Sequence, residues 1–282
     1  MSDSNVQVGL VQMRSTAEVE RNLAVAEREV RAAAGAGSTW ILLPENFAYL
    51  RSEGEPLAFT DPIPGRLSAW GGELARSLGI WFTMGSFPEA VRGSRKARNT
   101  SLTFSPEGRR VARYRKLHLF DIDLDDGTTF TESKTIAAGE APVWFDAPWG
   151  RTGVTICYDL RFPELYRRLA FAGCRVLCVP SAFTATTGEA HWLTLLRARA
   201  IENLAWVVAP AQAGRHSEAR VSFGHSVVID PWGRVVALKR RGVGHISAIL
   251  DPKETDRVRR GLPALRHVRN DLWKGVRRRR DL

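Results

Sequence analysis

Gly153-Val154-Thr155-Ile156-Cys157-Tyr158-Asp159-Leu160-Arg161-Phe162-Pro163-Glu164 is the stretch from which the rest of this chain can be placed. Val154, Thr155 and Ile156 form an apolar, β-branched run that reads as a buried strand stopping at a cysteine. The residues after it predict a helix start, with Asp159 as its cap, Pro163 in the first turn and Glu164 at the positive end. A thiol at such a strand-to-helix turn lies near oriented backbone N–H groups, which favour thiolate over thiol. A cysteine among apolar neighbours is also an ordinary core side chain, and this stretch alone supports both readings.

Working outward, the same alternation of strand and helix recurs. Val6–Gln12 predicts a first strand, Ala17–Ala34 an Ala/Glu/Arg-rich helix ending at Gly35-Ala36-Gly37, and Trp40–Leu43 a strand stopping at Pro44-Glu45-Asn46. A second helix is expected over Leu67–Leu78 and a strand over Ile80–Ser86. A hairpin follows, turning at Pro106-Glu107-Gly108, and its second arm runs into Lys116-Leu117-His118. Asp121–Gly139 reads as a long irregular loop, a length at which loops tend to be functional. Beyond the opening stretch come a strand at Arg175–Pro180, a helix over Glu189–Asn203 and a strand at Trp206–Ala209. The chain closes with a hairpin at Phe223–Leu238, a strand at His245–Leu250 and a short helix at Lys253–Arg260. Each half runs strand, reactive side chain, helix, strand. The pattern predicts a layered α/β fold with mixed sheets in one domain over residues 1–273, followed by a basic tail at 274–282.

Composition narrows the class. At 282 residues and 44% hydrophobic content the chain can bury a sizeable core. No apolar run approaches the roughly 20 residues needed to span a bilayer, and Met1-Ser2-Asp3-Ser4-Asn5 has no basic leader, so no membrane association is expected. Three cysteines without a framework spacing suit a reducing cytoplasm. Net charge is +11, and Pro252–Leu282 holds eleven Lys/Arg against four Asp/Glu, so +7 of it lies there. No aromatic platform or reader motif accompanies those cations, so they are read as a solvated arm and not as a nucleic-acid contact.

Glu45, Lys116 and Cys157 each stand where a strand ends, and sites in α/β sheets form beyond the carboxyl ends of strands. Together they would supply a base, a cation and a nucleophile for attack on an amide carbonyl. A Cys–His pair using His118 or His191 is a competing arrangement. Cys174 and Cys178 fall on one face of an apolar strand with no histidine near, which reads as packing and not zinc. Gly35-Ala36-Gly37 lacks the third glycine of a dinucleotide fingerprint, and no phosphate loop or His-Glu-x-x-His occurs. Nothing calls for a metal or a cofactor.

Three segments resemble the signature blocks of the nitrilase superfamily of carbon–nitrogen hydrolases, in the family's order: Leu43–Asn46, Arg115–Asp121 and Ile156–Glu164. The resemblance covers Val6 to Trp273 and implies a four-layer αββα sandwich. It implies further that Cys157 forms a thioester, that Glu45 shuttles the proton, and that Lys116 and the Tyr158 backbone N–H hold the oxyanion. Glu132, in Thr131-Glu132-Ser133, matches the family's second glutamate. Ser181–Trp192 and Gln212–Glu218 resemble the branch acting on deaminated glutathione, with the ω-amidases of 2-oxoglutaramate as nearest cousins. N-carbamoyl amine and nitrile hydrolases keep the same triad and stay open, as does a catalytically silent binding protein whose tail engages nucleic acid. In the favoured branch Arg161 is expected to anchor the substrate's negative charge, with Phe183 and Thr187 on the adjoining loop. The family also implies a homodimer or larger homo-oligomer, joined by the helices after Cys157 and Gly188.

Overall fold

The structure is a computed structural model and describes residues 4–271 apart from 53, 124–128, 219 and 270. The first half of the chain contributes β1 (Val6–Gln12), α1 (Val19–Gly35), β2 (Trp40–Leu42), β3 (Asp61–Pro62), α2 (Arg66–Leu78), β4 (Trp81–Thr83), β5 (Phe87–Ala90), β6 (Arg98–Phe104) and β7 (Arg110–Arg115). A ribbon, β8 (Asp121–Asp123) and β9 (Thr129–Thr131), links it to the second half. That half holds β10 (Val143–Ala147), β11 (Gly150–Val154), α3 (Pro163–Phe171), β12 (Val176–Cys178), α4 (Ala185–Asn203), β13 (Trp206–Ala209), β14 (Ala213–Arg215) and β15 (Val221–Phe223). The remaining elements are β16 (Ser226–Ile229), β17 (Val235–Lys239), β18 (Gly244–Leu250) and α5 (Pro252–Gly261).

Two mixed sheets form. One has the order β18-β1-β2-β4-β6-β5-β3 with β7 beside β6, and the other β10-β11-β12-β13-β16-β17. Each has three parallel strands at its centre, β1-β2-β4 and β11-β12-β13, flanked by antiparallel neighbours. The layers follow from the two-residue period of the strands. Trp40 and Leu42 of β2 point between the sheets, while Ile41 and Leu43 point outward under α1 and α2. Between the sheets Trp40 stacks on Trp149 at 4.7 Å and meets Phe145 edge-on at 6.3 Å. Aromatic pairs of this kind contribute about 0.5–1.5 kcal/mol each beyond their buried area. Leu169, Trp192 and Leu196 of α3 and α4 cover the far side of the second sheet. The result is the expected αββα sandwich.

Local expectations fail at informative places. The strand before Cys157 ends at Val154, so Thr155 and Ile156 are already loop, and Cys157–Arg161 is a 3₁₀ turn. Asp159 is not the cap of α3; that helix begins at Pro163, and the Asp159 carboxylate is used elsewhere. Gly153 lets α3 close on β11, since a Cβ there would lie 2.8 Å from Leu169 Cδ1. The loop expected to be irregular contains the β8–β9 ribbon, and α4 starts at Ala185, four residues early. Strands β3, β5, β10 and β14 are too short or too polar to announce themselves. Among the described residues no helix is long and apolar enough to cross a membrane. The basic tail at 274–282 lies outside the described residues.

Candidate active site

Glu45 follows β2 by three residues, Lys116 follows β7 directly, and Cys157 follows β11 by three. All three are almost fully buried, and they meet in one cavity together with Glu132. Lys116 Nζ donates to Glu45 Oε1 and to Glu132 Oε2, both at 2.9 Å. Glu45 Oε2 accepts from the Ala182 N–H at 2.9 Å, and the Cys157 thiol donates to the same carboxylate. Glu132 also accepts the Phe120 N–H at 2.7 Å, which fixes its loop beside Lys116.

The backbone is shaped to hold these groups. Cys157 has φ +47°, a left-handed conformation that costs a non-glycine residue roughly 1–2 kcal/mol, and its N–H is anchored on Pro180 O at 3.0 Å. Glu45 sits on a loop braced from both sides. Gln212 Nε2 donates to Glu45 O at 3.0 Å. Gly85, at φ +63°, lets the neighbouring loop approach so closely that a Cβ would lie 2.0 Å from Pro44 O. His216, on the β14–β15 hairpin, ties that hairpin to Ser15 O at 2.8 Å, and burial pushes its imidazole down to about 4.

Charge states follow from burial and pairing. Desolvation works to neutralise Glu45, but the Lys116 charge and the bonds from Cys157 and Lys116 outweigh it, so the carboxyl lies below its usual range. Burial would strip Lys116 of its proton, yet Glu132 and Glu45 hold it well above the ordinary lysine value. For Cys157, burial and then the Glu45 charge push the thiol up, against the pull of Lys116. The resting set is carboxylate, ammonium and protonated thiol. This reverses the expectation of a helix-stabilised thiolate, because a buried 3₁₀ turn beside a carboxylate does not offer the positive field of a helix end. The arrangement can move the thiol proton to Glu45 as sulfur attacks a carbonyl, with Lys116 close to the developing oxyanion.

Two side chains that sequence reasoning missed organise the site. Asn99, the second residue of β6, donates to Glu45 Oε1 at 3.0 Å and Glu132 Oε1 at 3.2 Å, bridging the carboxylates. Only its pairing with Lys116 (Lys116 N to Asn99 O, 2.9 Å) puts it there, and nothing local in the sequence marks it. Asp159 is a latch between the lysine and cysteine segments. Its Oδ2 accepts from Tyr114 Oη at 2.6 Å and from the Ile156 N–H at 2.8 Å. Its Oδ1 accepts the His118 N–H at 3.1 Å and lies 2.7 Å from His118 Nδ1.

The predicted binding residues divide. Phe183, Thr187 and Tyr158 line the cavity. Arg161 does not: its guanidinium packs over the Phe183 ring at 5.3 Å and the Tyr158 ring at 5.9 Å, and lies 3.3 Å from His191 Nδ1. The 3₁₀ turn after Cys157 carries Arg161 behind those rings instead of into the cleft. Among the described residues, the cations on the wall besides Lys116 are Arg51 and Arg220. Neither His118 nor His191 lines the cavity, and Cys174 and Cys178 are fully buried free thiols.

Comparison with known proteins finds relatives over most of the chain. The sequence profile described as "Carbon-nitrogen hydrolase" matches residues 7–260. The chain is 42% identical over 260 residues to the deaminated glutathione amidase of a Synechocystis strain, across 91% of this chain and 96% of that one. Human omega-amidase is 36% identical over 270 residues, covering 96% and 97% of the two chains. Among solved structures, the C. elegans NitFhit protein superposes with a TM-score of 0.87 at 36% identity, over 96% of this chain and 67% of that one.

Proposed function

This chain belongs to the carbon–nitrogen hydrolase family, an amide-cleaving enzyme of the nitrilase superfamily, and we propose that its substrate is a small 2-oxo acid amide of the deaminated glutathione type. The observation that carries the reading is the Lys116 ammonium held between Glu45 and Glu132 beside the Cys157 thiol. Cys157 Sγ attacks the amide carbonyl while Glu45 takes the thiol proton. Lys116 Nζ and the Tyr158 backbone N–H hold the oxyanion, and Glu132 orients Lys116. As the C–N bond breaks, Glu45 passes its proton to the leaving amine and a thioester remains on Cys157. Glu45 then takes a proton from water as the water attacks the thioester. Collapse of that adduct releases the carboxylic acid and returns the proton to sulfur. Phe183 and Thr187 form one wall of the substrate cavity.

Identity to deaminated glutathione amidases above that to the human omega-amidase supports the larger substrate over 2-oxoglutaramate. Residues 1–273 are taken as one catalytic domain with 274–282 as a basic arm, and the enzyme as a cytoplasmic homodimer joined through α3 and α4. Three free, buried cysteines are in keeping with a reducing compartment. The test is a turnover panel of deaminated glutathione, 2-oxoglutaramate, an N-carbamoyl amino acid and a simple nitrile. The expected order of kcat/KM has deaminated glutathione first, with Cys157→Ala at background on all four. Fastest turnover of the nitrile or the carbamoyl compound would overturn the assignment.

A further inference from the structure

Lys116 and Asn99 hold the same two acids. Lys116 Nζ donates to Glu45 Oε1 and Glu132 Oε2, both at 2.9 Å, and Asn99 Nδ2 donates to Glu45 Oε1 at 3.0 Å and Glu132 Oε1 at 3.2 Å. The two donors are joined through the backbone as well, where the Lys116 N–H donates to Asn99 O at 2.9 Å. The amide faces the acids with its nitrogen, because carboxylates can only accept. That leaves Asn99 Oδ1 buried with no hydrogen-bond partner among the described residues, a destabilising arrangement that an apolar side chain of like size would avoid. What the amide brings to this position is therefore its two N–H donors.

The four bonds treat the acids unequally. Glu132 has both oxygens engaged, Oε1 by Asn99 and Oε2 by Lys116 and by the Phe120 N–H at 2.7 Å. Glu45 takes Lys116 and Asn99 on the one oxygen Oε1. Its Oε2 accepts the Ala182 N–H at 2.9 Å, and that N–H also bonds the Cys157 sulfur, so Oε2 is the oxygen on the thiol side. A carboxylate free to rotate would present either oxygen to the thiol. Two donors converging on Oε1 remove that freedom. Lys116 has a second duty at the oxyanion, whereas the uncharged Asn99 stays on Oε1 throughout.

We propose that Asn99 is a positioning residue that divides the work of the two glutamates. It pins Glu45 Oε1 so that Oε2 takes the thiol proton, and it holds Glu132 in place as a partner of Lys116 that takes none. The proposal rests on the amidase reading above. In the step it governs, the S–H bond of Cys157 breaks, an O–H bond forms at Glu45 Oε2, and the sulfur electron pair attacks the amide carbon. The proton later leaves Oε2 for the departing amine.

The groups facing Glu45 are Lys116 from the end of β7, Cys157 from the turn after β11, Asn99 from β6, the Ala182 N–H and, through its charge, Arg220. The experiment alters Asn99 among them. Asn99→Leu keeps the size and removes both donors, and Asn99→Asp keeps the shape and adds a negative charge. Each is compared with the wild type on its best amide, with thermal melts to check folding. In Asn99→Leu kcat is expected to fall about 10- to 100-fold with KM within about threefold, as for a mis-set group in such a site. The acid limb of kcat/KM is expected to rise by about one pH unit, because a carboxylate that loses a charge-assisted hydrogen bond holds its proton more tightly. Asn99→Asp is expected to move the limb the same way and further, by like-charge repulsion. A limb that stays at the wild-type pH, or a loss confined to KM, overturns the proposal. If one variant does not fold, the other decides. If neither folds, Asn99 serves the fold and not the acids, and the proposal is overturned equally. Should the wild type cleave no amide, the amidase reading fails separately. Alkylation of Cys157 by iodoacetamide against pH then decides, since the sulfur needs the same base there, and an acid limb unmoved in Asn99→Leu refutes the proposal.

Discussion

Three residues past the end of β2 stands Glu45, in Leu43-Pro44-Glu45. Three past the end of β12 stands Ser181, in Val179-Pro180-Ser181. Both loops begin alike, with Leu43 N donating to Thr83 O at 3.0 Å and Val179 N to Val208 O at 2.9 Å on the next parallel strand. The same offset after β1 and β11 gives Ser15 and Cys157. Each half of the chain therefore offers two equivalent positions above its sheet, and each fills one with a serine turned onto a carbonyl. Ser15 Oγ donates to Phe47 O at 2.9 Å, and Ser181 Oγ to Val179 O at 3.0 Å. The other position in each half carries the reactive group, an acid in one and a thiol in the other. The scaffold supplies the placement and the side chain decides the chemistry, so the site is complete only where the halves face each other.

Replacing Glu45 breaks that division most severely. In Glu45→Gln the thiol keeps its neighbours but loses its proton acceptor, and kcat/KM is expected to fall about a thousandfold to ten-thousandfold. Steady-state kinetics on the best amide measure it, and a loss below about tenfold would mean another base serves Cys157. The pH profile of the wild type sharpens the point. Because Lys116 and the hydrogen bonds from Cys157 and Lys116 hold the Glu45 carboxyl below the usual carboxylate range, the base stays ionised as pH falls into that range. The acid limb assigned to this group therefore belongs below the range of an ordinary carboxyl, and a limb from Glu45 raised above that range would contradict the pairing with Lys116.

Asp159 should matter less, since it touches no reacting atom. It is a positioning residue, binding the backbone at Ile156 and His118, each one or two residues from a reactive group. In Asp159→Asn one accepting oxygen becomes a donor facing donors, and the Lys116 and Cys157 segments lose their common tie. Displacements of an ångström in such sites cost up to about a hundredfold. The expected result is a 10- to 100-fold drop, falling mainly on kcat, with an altered pH profile for alkylation of Cys157. A variant that merely melts earlier, with kcat and the alkylation profile intact, would make Asp159 structural only.

How much of this was legible in the sequence depends on the kind of interaction. A mixed α/β fold was, because apolar strand runs such as β2 alternate with amphipathic helices such as α1, while the four layers came with the family resemblance. The convergence of Glu45, Lys116 and Cys157 was readable as strand ends, and the resemblance of three blocks tied them together. Asn99 and Asp159 were not. The first acts through register between β6 and β7, the second through a 3₁₀ turn that local rules read as a helix start. Arg161 misled for the same reason: nearness to the nucleophile along the chain says little when the intervening turn points the guanidinium behind Phe183. Arg51 and Arg220 lie in loops without periodicity, so only the folded cavity brings them out.

The smallest effect is the one that tests the comparison itself. If the scaffold position alone conferred function, Ser181 should be as sensitive as Glu45, since the two are placed alike. Its hydroxyl, however, is fully buried and bonded within its own loop, and it does not line the cavity. Ser181→Ala removes that hydroxyl and leaves Val179 O without this donor, which costs about 1 kcal/mol of stability by the usual worth of a neutral hydrogen bond. The Ser181 N–H still donates to Pro210 O at 3.0 Å, so the loop, and with it the Ala182 N–H on Glu45, keeps its course. Thermal denaturation is expected to show that modest loss, with kcat/KM within about threefold of wild type. A drop of a hundredfold or more in a folded Ser181→Ala protein would mean that both halves place reactive hydroxyl or acid groups at this offset, and the division of labour between them would have to be abandoned.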